Sequence, residues 1–269
     1  MGERIGFIGT GVMGSAIARA VRKRTEGEDL LLANVPAEAA EALAQELGCL
    51  SGDNERVARE CRYIYLAVKP QVMKSVLSGI APILKERKDR FVLVTMAAGI
   101  TIQSLKEMAG GAYPVIRMMP NVAATVGEAV VLCSFGEEVS GEERERFLYL
   151  TGEAGLCDPI EEKLVDAAGS LTGCGPAFAF VMMQALADGA VACGVDRARA
   201  RSYAAKTLLG AAKLALESGK HFELLKDEVC SPAGSTIEGV KAMEQGGVRG
   251  VLMQAVTDSY EKNKKLGKS

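Results

Sequence analysis

Two short stretches of the chain gather the residue types that small-molecule chemistry needs. The first, GFIGTGVMGSAIARAV from Gly6, spaces three glycines as Gly9-x-Gly11-x-x-Gly14 directly after an apolar run. That spacing suits a diphosphate. Gly9 makes the tight turn, Gly11 lets a pyrophosphate approach the backbone, and Gly14 allows the next helix to pack closely. The open N–H groups and positive dipole end of that helix then face the phosphates. The second stretch, CSPAGSTIEG from Cys230 to Gly239, collects two serines, a threonine and a glycine just ahead of a helical run. Hydroxyls at a helix start can hold a small anion. Ser235 also has the residue type that caps a helix.

The usual catalytic sets are missing. His221, the single histidine, lies in the stretch SGKHFE and reads as an exposed loop residue, and Asp166 and Asp188 read as structural hydrogen-bond partners on helices. The seven cysteines (49, 61, 133, 157, 174, 193, 230) are odd in number and never spaced as CxxC, which predicts reduced, mostly buried thiols with neither a disulfide framework nor a metal site. A reaction without a protein nucleophile fits this inventory, and hydride transfer from a nicotinamide is one.

The elements around these stretches point the same way. The chain has 269 residues, 48% hydrophobic and 25% charged, with a net charge of -2. That balance gives no electrostatic reason to bind nucleic acid or an anionic membrane. The opening MGER runs straight into an apolar strand pattern, so no targeting signal is expected, and the most apolar segment, PAFAFVMMQALADGAVACGV, carries Gln184 and Asp188 and reads as a buried helix rather than a membrane span. A cytoplasmic protein is expected. Runs such as RIGFIG, LLLAN, YIYLAV, FVLVTM and PVIRMM are apolar throughout and alternate with helical patterns, as strands do when helices cover both faces of a parallel sheet. This predicts an α/β Rossmann domain, doubly wound on a mainly parallel sheet, over residues 1–161, extended by the runs EAVVLCSF and LCDPI. From 162 to 269 apolar residues recur three and four apart, predicting an all-helical domain whose longest punctuation is SGKHFELLKDEVCSPAGS.

Ligands in open α/β sheets bind outside the carboxyl ends of the strands. About twenty residues past the glycines stands Asn34, equally a turn residue before Pro36 or a ribose contact; an Asp there would bind the 2′-hydroxyl of NAD. Val35 follows where an Arg or Ser would favour NADP. Two further strand ends carry Lys69-Pro70 and Ala97-Ala98-Gly99; Lys69 alone reads as a solvated lysine at a helix start.

Taken together, GFIGTGVMG, AVKPQ, AAG, RMMPN, GCGPAF, ALADGAV, LLGAAKL and CSPAGSTIEGV, in this order along nearly the whole chain, resemble the Δ1-pyrroline-5-carboxylate reductase family. The resemblance implies NADPH- or NADH-dependent reduction of the cyclic imine 1-pyrroline-5-carboxylate to L-proline, without a metal. It implies a helical domain that interlocks with a second copy, giving dimers and in some relatives decamers. Carried over by position, the pyrophosphate loop is Ile8, Gly9, Thr10, Gly11, Val12 and Met13; the adenosine end falls at Asn34, Val35 and Asn54; the nicotinamide end falls at Val68, Lys69, Pro70, Ala97 and Ala98. The substrate carboxylate would sit on Ser231, Gly234, Ser235 and Thr236, with the Thr236 hydroxyl at the imine nitrogen as the catalytic group. Departures from the family pattern are Val35, Cys174, Phe178, Glu228, Val122-Ala123 and Ala233, the last standing for a glycine and so requiring a backbone conformation open to a side chain. Other readings are a β-hydroxyacid dehydrogenase type of two-domain Rossmann oxidoreductase, which would need a catalytic lysine motif around Lys206 or Lys213, and a non-catalytic dinucleotide sensor.

Overall fold

In the computed structural model, residues 3–266 are described. Eight strands form one sheet: β1 (Ile5–Ile8), β2 (Leu30–Ala33), β3 (Leu50–Gly52), β4 (Tyr63–Leu66), β5 (Val92–Thr95), β6 (Val115–Met119), β7 (Ala129–Phe135) and β8 (Gly155–Pro159). Their order is β3-β2-β1-β4-β5-β6-β7-β8. Strands β1 to β6 are parallel, β7 runs antiparallel to β6, and β8 follows β7. The mainly parallel sheet and both expected extra strands are therefore present.

The apolar strand runs are explained by two cores, one on each face. Ile5, Phe7, Tyr63 and Tyr65 point to one side, where Phe7 stacks on Tyr65 at 4.4 Å between ring centres. Ile8, Leu31, Ile64 and Leu66 point to the other. Helices α1 (Val12–Arg22), α2 (Glu38–Leu47) and α6 (Gly141–Thr151) contribute to the first core; α3 (Asn54–Glu60), α4 (Pro70–Glu86) and α5 (Ile102–Ala109) to the second. Ser140 starts α6 with a capping box, its hydroxyl accepting from the Glu143 N–H while the Glu143 carboxylate accepts from the Ser140 N–H.

Helix α7 (Glu162–Thr172) is held against the sheet by charge. Arg117, buried in β6, donates to Asp166 at 2.5 Å and lies 3.5 Å from Glu162. Glu162 also accepts the Ile102 N–H at 2.7 Å. Asp166 thus has the structural role its position on a helix suggested. One compact unit runs to Cys174 and takes in the end of the last helix from Ser259; the other is Gly175–Asp258.

The second unit is helical: α8 (Gly175–Ala192), α9 (Arg197–Ser218), α10 (Phe222–Val229), α11 (Ser235–Gln245) and most of α12 (Val248–Leu266). Helix α10 occupies what the sequence reads as punctuation. Phe222, Leu225 and Val229 are spaced for a single face, the His221 ring nitrogen accepts the Glu223 N–H at the start, and Lys226 pairs with Glu223. Helices α8 and α9 meet through Ala187, Ala200 and Ala204. Most of their apolar surface stays open, with Phe180 61% and Val181 70% exposed. The segment Glu162–Ala192 is long and apolar enough to cross a membrane by length and composition; within the stretch 176–195, expected to be buried, most residues are exposed or half-buried in the single chain. All seven cysteines are unpaired, but only Cys61 and Cys133 are buried, fewer than the sequence suggests.

Candidate active site

The sheet order turns back at β1, which pairs with β2 on one side and β4 on the other. At such a switch point the two following helices depart to opposite faces and leave a crevice beyond the strand ends. A cleft of about 510 Å³ opens there, lined by Ile8, Gly9, Asn34, Val35, Asn54 and Val68 together with Glu55 and one face of α4 (Val72, Ser75, Val76, Gly79). Six residues assigned to the dinucleotide by resemblance thus share one wall.

The glycine loop has the geometry its spacing requires. Gly9 has φ +104°, and a Cβ there would meet the Ala67 carbonyl oxygen at 2.5 Å. A Cβ on Gly14 would lie 2.3 Å from the Gly9 carbonyl oxygen, so the helix packs on the loop only because Gly14 has none. Gly11 differs. A Cβ on it would meet nothing within 4 Å, so the space over this residue is free for a ligand. Gly11 is also the N-cap of α1 without a side-chain cap, and no acidic residue stands in the first turn. The first-turn N–H groups therefore keep their capacity for an anion. Val12 is 69% exposed at the mouth of the helix, while Met13 packs inward on the core. The Thr10 hydroxyl is buried without a hydrogen-bond partner among the described residues. A bound pyrophosphate would supply that partner, and the loop fits one.

Asn34 resolves into a specific role. Its Oδ1 accepts the Thr10 N–H at 3.0 Å and its Nδ2 donates to the Pro36 carbonyl at 2.9 Å. The side chain ties the end of β2 to the glycine loop. Further along the rim, Lys69 is the N-cap of α4 with Pro70 in the first turn, and its side chain is exposed. Ala97 is buried and Ala98 exposed just past β5, where the Ala97 N–H reaches the Thr95 hydroxyl at 3.3 Å. Since β1, β4 and β5 are neighbours, these small residues sit at the same end of the sheet as the loop.

Glu55 and the α4 stripe are cleft residues that motif reading passes over. The edge strand β3 has three half-buried residues and no pattern to betray it, so the start of α3 beyond it is hard to place. In α4, positions 72, 75, 76 and 79 follow helical spacing with small or β-branched side chains, a legible signal once the cleft is known.

In the second unit, the turn Cys230–Gly234 leads into α11. The N-cap is Gly234, not Ser235, and no side chain caps the helix; Ser235 is its first residue. The expected Ser235 cap is absent because the chain enters the helix one residue earlier. The Gly234 N–H bonds the Ser231 carbonyl at 3.0 Å, and a Cβ on Gly234 would meet the Ser231 hydroxyl at 2.4 Å. Ala233 has φ +57°, alone among the described non-glycine residues in the left-handed region. The expectation of a conformation open to a side chain fails here: the turn keeps the geometry of a glycine, and Ala233 bears the strain. Ser231, Ser235 and Thr236 are exposed in the single chain. No cluster of three or more metal-ligating side chains occurs among the described residues.

The family description "Pyrroline-5-carboxylate reductase dimerisation" matches residues 162–266, and "NADP oxidoreductase coenzyme F420-dependent" matches residues 4–99. A pyrroline-5-carboxylate reductase of Methanosarcina acetivorans is 39% identical, covering 99% of this chain and 98% of that protein, and one from Glycine max is 39% identical over 97% and 95%. Among solved structures, pyrroline-5-carboxylate reductase from Coxiella burnetii superposes with a TM-score of 0.92 at 27% identity, covering 99% of both chains. Pyrroline carboxylate reductase from Plasmodium falciparum, with NADP bound, gives 0.86 at 29% identity over 98% of both chains. The ordered motifs, the glycine cradle and near-complete similarity in sequence and structure place this chain in the pyrroline-5-carboxylate reductase family.

Proposed function

We propose that the protein reduces 1-pyrroline-5-carboxylate to L-proline with NADPH or NADH, the final reduction of proline biosynthesis. The reading is carried by the pairing, in one chain, of a glycine loop open over Gly11 with an α11 whose N-terminus lacks a side-chain cap beside three hydroxyls. The similarity to named reductases over nearly the full length supports it.

When bound, the dinucleotide supplies a hydride from its nicotinamide ring. The protein does the rest. The Gly11, Val12 and Met13 N–H groups and the α1 dipole hold the pyrophosphate, the Gly9 and Thr10 N–H groups being bonded to Ala33 and Asn34. The first N–H groups of α11, with the Ser231 and Ser235 hydroxyls, hold the substrate carboxylate; neutral donors do so without introducing a full positive charge. The Thr236 hydroxyl orients the ring nitrogen by accepting a hydrogen bond from the protonated imine; hydride addition leaves a neutral amine, which takes its further proton from solvent. A protonated imine is electrophilic in itself, so positioning supplies most of the catalysis and no histidine is needed.

The working assembly is a homodimer, with larger forms up to a decamer built from it. The open apolar face of α8 and α9 lies within the 162–266 match to the dimerisation family, which supports a second copy rather than lipid as its cover. The scattered thiols fit a reducing cytoplasm. The test is an assay of reduced-dinucleotide oxidation with 1-pyrroline-5-carboxylate and, separately, with 3-hydroxyacids and oxidised dinucleotide. Proline formation with the imine is expected. Turnover of hydroxyacids alone would contradict the proposal.

A further inference from the structure

The adenosine end of the cleft is where NADPH and NADH differ, by the 2′-phosphate on the ribose. The cleft wall contains one charged side chain among the described residues, and it is a carboxylate, Glu55. No lysine or arginine lines it. The 2′-phosphate that distinguishes NADPH from NADH would need a cation or a set of free donors there.

The donors in the wall itself, the Asn54 amide and the Ser75 hydroxyl, are neutral, and those around it are largely committed. The Asn34 amide is spent on the Pro36 carbonyl. Val35 is 85% exposed and apolar, and Pro36 after it has no N–H. The α3 N-terminus is capped by Asp53, whose carboxylate accepts the Arg56 N–H at 2.7 Å and adds a second negative charge. Of the two nearby arginines, Arg56 is held by the Ser51 carbonyl and Glu60, while Arg59 makes an exposed ion pair with Glu55 at 3.7 Å and does not line the cleft.

Resting on the dinucleotide reading above, we infer that this end of the cleft is built for a ribose with a free 2′-hydroxyl and that the protein prefers NADH to NADPH. Glu55 accepts from the ribose hydroxyls. In dinucleotide folds that carboxylate usually stands about twenty residues past the glycines, at the end of the second strand. Here Asn34 holds that position and serves the loop, and the carboxylate comes from the start of α3. A 2′-phosphate would face Asp53 and a Glu55 only partly offset by Arg59, with no lysine or arginine among the residues lining the wall, a like-charge opposition worth about tenfold in affinity. That one relative binds NADP leaves the question to each chain's own residues.

The test is direct titration of the protein with NADH and NADPH by calorimetry, repeated with the fragments ADP and adenosine 2′,5′-bisphosphate, alongside kcat/KM for both cofactors. The wild type is expected to bind NADH at least tenfold more tightly and ADP more tightly than the bisphosphate. Glu55→Gln removes the repulsion and releases Arg59, so the gap should narrow; adding Val35→Arg should close or reverse it. Equal or tighter NADPH binding by the wild type, or an unchanged gap in Glu55→Gln, overturns the inference. Failure to bind either dinucleotide would instead overturn the proposed function.

Discussion

Thr236 and Ala233 stand three residues apart and do opposite things. Thr236 offers an exposed hydroxyl in the first turn of an uncapped helix, a position whose value lies in the ligand it meets. Thr236→Ala should lower imine reduction at least tenfold, a loss of ~1.4 kcal/mol or greater, with the dissociation constant for NADH unchanged. Unaltered turnover would remove the role assigned to it. Ala233 contributes backbone shape, and its Cβ opposes that shape at φ +57°. Ala233→Gly should raise stability by roughly 1 kcal/mol in chemical denaturation. A loss of stability would mean that the left-handed conformation carries little strain there.

At the scale of elements, the loop-to-helix contact at Gly14 and the start of α6 allow quantitative tests. Gly14→Ala forces a methyl to 2.3 Å from the Gly9 carbonyl oxygen, so either the loop or α1 must shift. The expected result is roughly 2 kcal/mol of lost stability and at least tenfold weaker dinucleotide binding, both measurable by titration. In α6, burial works to raise the pKa of Glu143, but bonds from Arg90 at 2.8 and 2.9 Å and from the Ser140 N–H outweigh it and hold the carboxyl below its ordinary value. A depressed carboxyl pKa stabilises the fold fully at neutral pH, and that contribution fades as pH falls through the folded-state value. Glu143→Gln should therefore cost about 1–2 kcal/mol at pH 7, with the difference from wild type shrinking below about pH 4. A pH-independent difference would contradict the assignment.

These elements also mark what a reader of the sequence can and cannot see. The strands β1, β2, β4, β5 and β6 are plain because burial on both faces makes them continuously apolar. The glycine loop is plain because each glycine meets a steric demand of its own. Asn34 stayed ambiguous, since only the folded loop reveals that its amide bridges Thr10 and Pro36. Glu55 and β3 are not legible in the sequence because a three-residue edge strand leaves no period to count. The cap lies at Gly234, one residue before the expected Ser235, for a related reason: several residues in that turn have cap-forming types, and backbone angles alone decide among them.

At the scale of the whole molecule, the second unit makes sense only with a partner. Among the described residues, its buried apolar set is centred on three alanines, while Phe180, Val181 and others lie open. Val181→Asp should give a monomer in light scattering, lower the melting temperature and abolish reduction while the first unit still binds NADH. A stable, active monomer would contradict the assembly.

The central claim, hydride delivery to a cyclic imine, is tested most directly by isotope transfer. Purified protein is given 1-pyrroline-5-carboxylate and NADH carrying deuterium at the transferable position of the nicotinamide, and the product is analysed by mass and NMR. The account predicts L-proline with one deuterium on the ring carbon that had been the imine carbon. Unlabelled proline, or dinucleotide binding with no proline at all, would contradict it.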